Sequence, residues 1–193
     1  MKKILSVVTL LAALSGAASA YQTGALTPYD MQPVYSVEGL YGITKGNELP
    51  DTYGGRLSFS MYSDAASDLR HQFTLSVAGL WGSDTYDVYG YGIDFDVQMI
   101  PVTVGYTANI EITDELLFTV GAKAGYAFAT VDVGPFSCDA DGFTYSVGAG
   151  FKYMCSDAVY LQVGYEYSDT KMGGDWDMDY SQHIISVGVG CQF

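Results

Sequence analysis

The chain has 193 residues, 22 acidic against 8 basic, for a formal charge of −14 at pH 7, yet 49% of it is apolar and 17 residues are tyrosine. Such an acid excess argues against nucleic acid or an anionic lipid surface as partner, and for solvated acidic loops. Charges and apolar residues must therefore be sorted onto different surfaces.

Residues 1–20, MKKILSVVTLLAALSGAASA, carry a basic start at Lys2 and Lys3, an apolar run from Ile4 to Leu14, and small residues at Ala18 and Ala20. This is the pattern of a secretory signal peptide cleaved after Ala20. The run is too short to span a membrane as a helix, and no later window supplies the roughly 20 apolar residues a spanning helix needs. Residues 21–33, YQTGALTPYDMQP, read as an N-terminal leader, either flexible or packed into one mouth of the main domain.

From residue 34 onward the apolar residues recur with period two, which sorts a strand into faces but scatters around a helix. Eight segments carry it, at 34–43, 54–62, 72–82, 95–109, 116–128, 143–153, 159–167 and 182–193. In the sixth, Phe143, Tyr145, Val147, Ala149, Phe151 and Tyr153 oppose Thr144, Ser146, Gly148, Gly150 and Lys152. Most are as long as the ~9–11 residues of a tilted strand crossing a bilayer. In the fourth segment Phe95, Val97 and Met99 hold one parity and Ile100, Val102, Val104 and Tyr106 the other. Pro101 sits at the slip, so a β-bulge is expected there.

Connections after the second, fourth and sixth segments are compact, and those after the first, third, fifth and seventh are mostly longer and acidic. Short periplasmic turns and long outer loops produce this asymmetry. The expected fold is all-β: an eight-stranded antiparallel up-and-down transmembrane β-barrel over residues 34–193. One face is Val, Leu, Ile, Phe and Tyr; the other is Gly, Ser, Thr and Gln with single charges at Glu38, Arg56, Lys123, Lys152 and Glu166. A soluble barrel would turn the apolar face inward, whereas a membrane barrel inverts it. The small residues of the polar face suit a crowded lumen in which a few long charged side chains pair. Lys123 and Glu166 are expected at one height with Arg56 nearby, Lys152 and Glu38 lower, together plugging the barrel. On the apolar face, Tyr41, Trp81, Tyr126, Tyr145, Tyr165 and Tyr167 gather toward the outer strand ends, and Tyr106, Phe118, Phe151, Tyr153 and Phe193 toward the periplasmic ends, as two interfacial girdles.

The closing stretch SVGVGCQF places Ser186, Gly188, Cys191 and Phe193 in the order polar, glycine, hydrophobic and terminal aromatic. It resembles the C-terminal signal by which the barrel assembly machinery recognises its substrates. The stretch FDVQMIPVTVGYTANIEITDELLFTVGAKAGYAFA is similar to the middle of small outer-membrane barrels of the opacity and OmpA type. That resemblance covers most of residues 34–193 and implies the outer membrane of a Gram-negative bacterium, with outer-membrane lipid and lipopolysaccharide as surroundings. The chain stops at Phe193, so the peptidoglycan-binding domain of full-length OmpA-type proteins is not expected.

Cys155 in the last periplasmic turn and Cys191 near the end of the final strand fall on antiparallel neighbours, which brings a disulfide within reach; two separate thiols are the alternative. Cys138 lies in the third outer loop. Asp175, Asp177 and Asp179 alternate in the last outer loop but lack the glycine and distal glutamate of an EF-hand, so no metal site is expected, although a divalent cation bridging to lipopolysaccharide is an intermediate reading. His183, with Ser181 and Asp179 nearby, faintly suggests a lipid A hydrolase or acyltransferase; a histidine at the membrane interface is the simpler reading. No cofactor motif and no nucleic-acid signature appears. A structural or surface-interaction role, through adhesion, shielding or recognition by acidic loops towards an unidentified extracellular ligand, is expected, with a small-solute pore as the alternative and an enzyme further off.

Overall fold

The structure, a computed structural model, describes residues 31–45, 50–63, 69–88, 91–174 and 178–192. Eight strands follow one another in chain order: β1 Met31–Thr44, β2 Thr52–Ser63, β3 Leu69–Val88, β4 Tyr91–Glu111, β5 Leu116–Val133, β6 Phe136–Met154, β7 Val159–Gly174 and β8 Met178–Gln192. Each pairs antiparallel with the next, and β8 returns to β1 to close the barrel. Closure leaves no exposed ladder in the barrel itself, as a strand in lipid requires.

Following paired residues around the wall shows the stagger. Tyr35 stands beside Phe59, then come Leu75, Val104, Ala124, Tyr145, Asp169 and Ser181. The Ser181 carbonyl accepts from the Lys45 N–H at 3.0 Å, ten residues beyond Tyr35 and just past the end of β1. Such an offset tilts the strands against the axis and fixes the bore.

The alternation resolves into an exterior of aliphatic and aromatic residues and a polar interior. Val37, Leu57, Val104 and Val187 are each more than half exposed, whereas Ser60, Gln72, Asn109, Thr144 and Gln182 are buried inside. In water this surface would be one apolar patch far beyond what soluble proteins tolerate.

Three expectations are corrected. β4 carries no bulge: its register against β5 runs unbroken from Phe95↔Val133 through Pro101↔Ala127 to Glu111↔Leu117. Val97 and Met99 point into the barrel, so the apparent slip marks a change in which face is apolar, not a change of parity. On the β3 side the ladder skips Pro101, which has no N–H to give.

The outer connections after the third and fifth segments are largely strand. β3 and β4 continue to Val88 and Tyr91, and β5 and β6 meet at Gly134–Pro135. Gly134 takes φ +57°, a conformation other residues reach only under strain, and its N–H bonds the Asp94 carbonyl at 2.9 Å. At the opposite end the turns are tight, as expected: Ile112–Glu115 and Cys155–Ala158 each close with backbone bonds. The third correction concerns the leader, since Met31, Gln32 and Pro33 already pair with Ser63, Tyr62 and Met61 in β1.

Candidate functional site

All five charged residues expected in the lumen are there, and the stagger decides which of them meet. Arg56 from β2 forks onto Glu166 from β7, Nη1 to Oε2 at 3.1 Å and Nη2 to Oε1 at 3.2 Å. The same Nη1 reaches Glu38 Oε2 of β1 at 3.3 Å, and Lys123 Nζ of β5 donates to Glu166 Oε2 at 2.7 Å. Two cations and two carboxylates thus brace the mid-lumen from four strands. Glu38 belongs to this layer, not to a lower one with Lys152.

Lys152 stands apart toward the short-turn end. Its ammonium donates to Gln72 Oε1, and to Asn109 Oδ1 at 2.8 Å, and lies 5.2 Å from the centre of the Tyr160 ring and 5.9 Å from that of Tyr62. Amide oxygens and ring faces solvate the charge where the other lysine uses a carboxylate. Sequence reasoning marks Lys152 but misses this cage, because Gln72 and Asn109 come from β3 and β4 and no local spacing connects them to β6.

Between these layers lies a polar cavity of about 110 Å³, lined by Ser58, Ser60, Thr74, Thr119 and Gly148 among others. Above the ion network the lumen turns apolar, with Leu40, Leu80, Met99, Ala129, Met172 and Tyr180 in one buried cluster. Below the cavity Val34, Tyr62 and Tyr160 form a second cluster. Pro50 lies over the upper cluster, its carbonyl accepting from the Thr44 hydroxyl at 2.8 Å.

Outside, the aromatic girdles carry a feature absent from the sequence reading. Tyr41, Tyr126 and Tyr145 each donate a hydroxyl to an aspartate nearer the hairpin end: Asp51 at 3.0 Å, Asp141 at 3.2 Å and Asp169 at 2.7 Å. At the short-turn end Tyr153 donates to Glu115 at 2.9 Å, and rings pair as Tyr35 with Phe59, Phe73 with Tyr106 and Phe118 with Phe151. A tyrosine with its ring in hydrocarbon and its hydroxyl reaching outward is the expected interfacial arrangement.

The remaining candidates separate. His183 Nδ1 bonds the Tyr165 hydroxyl at 2.5 Å, while the Ser181 hydroxyl donates to Asp169 at 2.7 Å, so Ser181 and Asp179 are not assembled around His183. All three cysteines are free: Cys191 lies beside Val159 and Tyr35 in the ladder, and Cys155 sits in a turn with Sγ 3.9 Å from the Tyr153 carbonyl. The possible Cys155–Cys191 bridge is therefore absent, and the alternative of two separate thiols is what the structure has. Of the assembly stretch, Ser186 is buried in the lumen and Cys191 lies on the exterior parity; Phe193, like Asp175 and Asp177, falls outside the described residues. Among the described residues no three His, Cys, Asp or Glu side chains group as metal ligands.

Against known families, the model of the outer membrane protein beta-barrel domain matches residues 7–193. The chain belongs to that family. This outer-membrane barrel shares its fold with Neisserial surface protein A, at TM-score 0.58 and 17% identity over 84% of this chain and 97% of the other. It is equally similar in sequence to Ail, the attachment invasion locus protein of Yersinia pestis, with TM-score 0.54, 17% identity and coverage of 84% and 97%. The N-terminal barrel domain of OprF from Pseudomonas aeruginosa follows at TM-score 0.50, 16% identity and coverage of 85% and 100%. No curated protein sequence matches the chain. At these identities the likeness to solved structures is one of fold, and the outer-membrane family rests on the match over residues 7–193.

Proposed function

We propose that this outer-membrane barrel is a non-conducting surface protein whose acidic hairpins face the cell exterior and act in adhesion, shielding or recognition. The observation that carries the reading is the layered lumen: an ion-paired brace and a small polar cavity held between two apolar clusters. Eight strands leave room for side chains and little else, and here those side chains are paired and buried. With the interior committed to structure, the water-facing hairpins are the part left for interaction. Export by a cleaved signal peptide, insertion by the barrel assembly machinery and contact with lipopolysaccharide complete the reading, which contains no catalytic step.

Planar-bilayer recording tests it. Purified protein is expected to give no large, steady single-channel conductance; a stable conductance would overturn the sealed lumen and favour the small-solute pore. Lipid A deacylation by the wild type and its loss in His183→Ala would instead favour the enzyme.

A further inference from the structure

β3 to β6 rise beyond the girdle as a four-stranded wall, and the polarity of the wall is the reverse of that of the barrel below. Residues that continue the lipid-facing parity are now acidic, as in the exposed Asp94, Asp96, Asp139 and Asp141. Those that continue the lumen parity on β4, β5 and β6 are apolar, while on β3 the exposed Asp84 stands beside Phe95. Phe95, Val131, Val133, Phe136, Cys138 and Ala140 enclose a pocket of about 140 Å³ with Asp139 at its rim, and Phe136 is 72% exposed. No lysine or arginine occurs between Gly82 and Gln98 or between Phe128 and Asp141.

The wall also has an open side. The ladder between β6 and β7 ends at Ala140↔Gly174, so among the described residues Phe136–Asp139 has a partner strand only in β5. An edge of this kind offers backbone donors and acceptors to an added strand.

We infer that this edge and pocket form a docking site for an extended cationic segment that alternates apolar and basic residues. A strand added beside Phe136–Asp139 would send alternate side chains to the two faces of the wall. The inner face takes apolar groups into the pocket, and the outer face takes positive charge against Asp139, Asp141 and Asp132. An acidic or uniformly polar segment matches only one of the two faces or neither. The inference rests on the proposed outward, interacting role of the hairpins and names the chemistry of the partner.

The test uses the full barrel in phosphatidylcholine nanodiscs with Cys155→Ser and Cys191→Ser, leaving Cys138 in the pocket as the sole thiol. Three short synthetic peptides are compared, alternating Leu/Lys, Ser/Lys and Leu/Glu, each for retention on loaded against empty discs and for its effect on maleimide alkylation of Cys138. The Leu/Lys peptide is expected to be retained and to slow alkylation several-fold, and Phe136→Asp, confirmed folded by its heat-dependent gel mobility, is expected to abolish the slowing. No slowing by Leu/Lys, or equal slowing by Leu/Glu, overturns the site. If Ser/Lys slows alkylation as much as Leu/Lys, charge alone accounts for binding: the pocket falls and the acidic interacting surface stands. Retention of neither cationic peptide counts against both.

Discussion

Arg56 on β2 and Glu166 on β7 meet in a two-pronged ion pair across the lumen, although their strands share no ladder. The guanidinium also reaches Glu38, so one side chain ties three strands together. Arg56→Ala leaves two buried carboxylates short of a cation and is expected to cost about 3–5 kcal/mol in urea unfolding from lipid vesicles. A loss no larger than the ~1 kcal/mol of an exposed pair would mean that water already screens the network.

Lys152 is held by neutral oxygens and tyrosine rings, and its removal strands no opposite charge. Lys152→Met is expected to cost about 1–3 kcal/mol, the penalty of amide acceptors left without a donor, and so less than Arg56→Ala. Unfolding midpoints in the reverse order would show Lys152 to be the more tightly engaged of the two.

Packing between strands discriminates among the lumen and surface glycines. A Cβ on Gly125 would lie 2.0 Å from the Val102 carbonyl oxygen, a backbone atom that cannot step aside, whereas one on Gly39 would meet the Val187 oxygen at 3.8 Å. Gly125→Ala is expected to destabilise the barrel by about 1–3 kcal/mol through overpacking, with Gly39→Ala close to neutral. Equal refolding yields and midpoints for the two variants would show that the β4–β5 spacing relaxes.

The free thiols make a separate prediction. Cys155 is exposed in its turn, so it is expected to react with maleimide in the folded barrel, and gel mobility is expected to be the same with and without reductant. Faster migration without reductant, together with protection of Cys155, would reinstate the bridge to Cys191.

Much of the barrel is legible in the sequence because alternation is a local property. Phe143 to Tyr153 and Val159 to Tyr167 show their two faces to anyone counting by twos, and the five lumen charges fall on the correct face. The features that escape depend on position along the axis. Counting heights along single strands sets Glu38 low with Lys152, whereas the ten-residue stagger between Tyr35 and Lys45 raises each strand relative to the last. Val97 and Met99 suggest a bulge only if one face stays apolar from end to end. The aspartates at 94, 96, 132 and 139 suggest loops for a related reason: a strand that leaves the hydrocarbon exchanges the chemistry of its faces without losing its hydrogen bonds.

That exchange falls in a band near the outer strand ends, lower on β7, where Asp169 pairs with Tyr145, than on β6, where Asp141 pairs with Gly173. The outward side chain passes from Phe143 to Asp141 on β6, from Tyr167 to Asp169 on β7, and from Ile100 through Gln98 to Asp96 on β4, each step a single alternation of the strand. Sinking the protein by one step would drag Asp141 and Asp169 into acyl chains, at a cost that grows with depth; lifting it would bring aromatic rings into water. Immersion depth is therefore set by the chain to within a few residues along the strands. A barrel that cannot slide makes the bilayer adjust instead, thickening or thinning locally to match it.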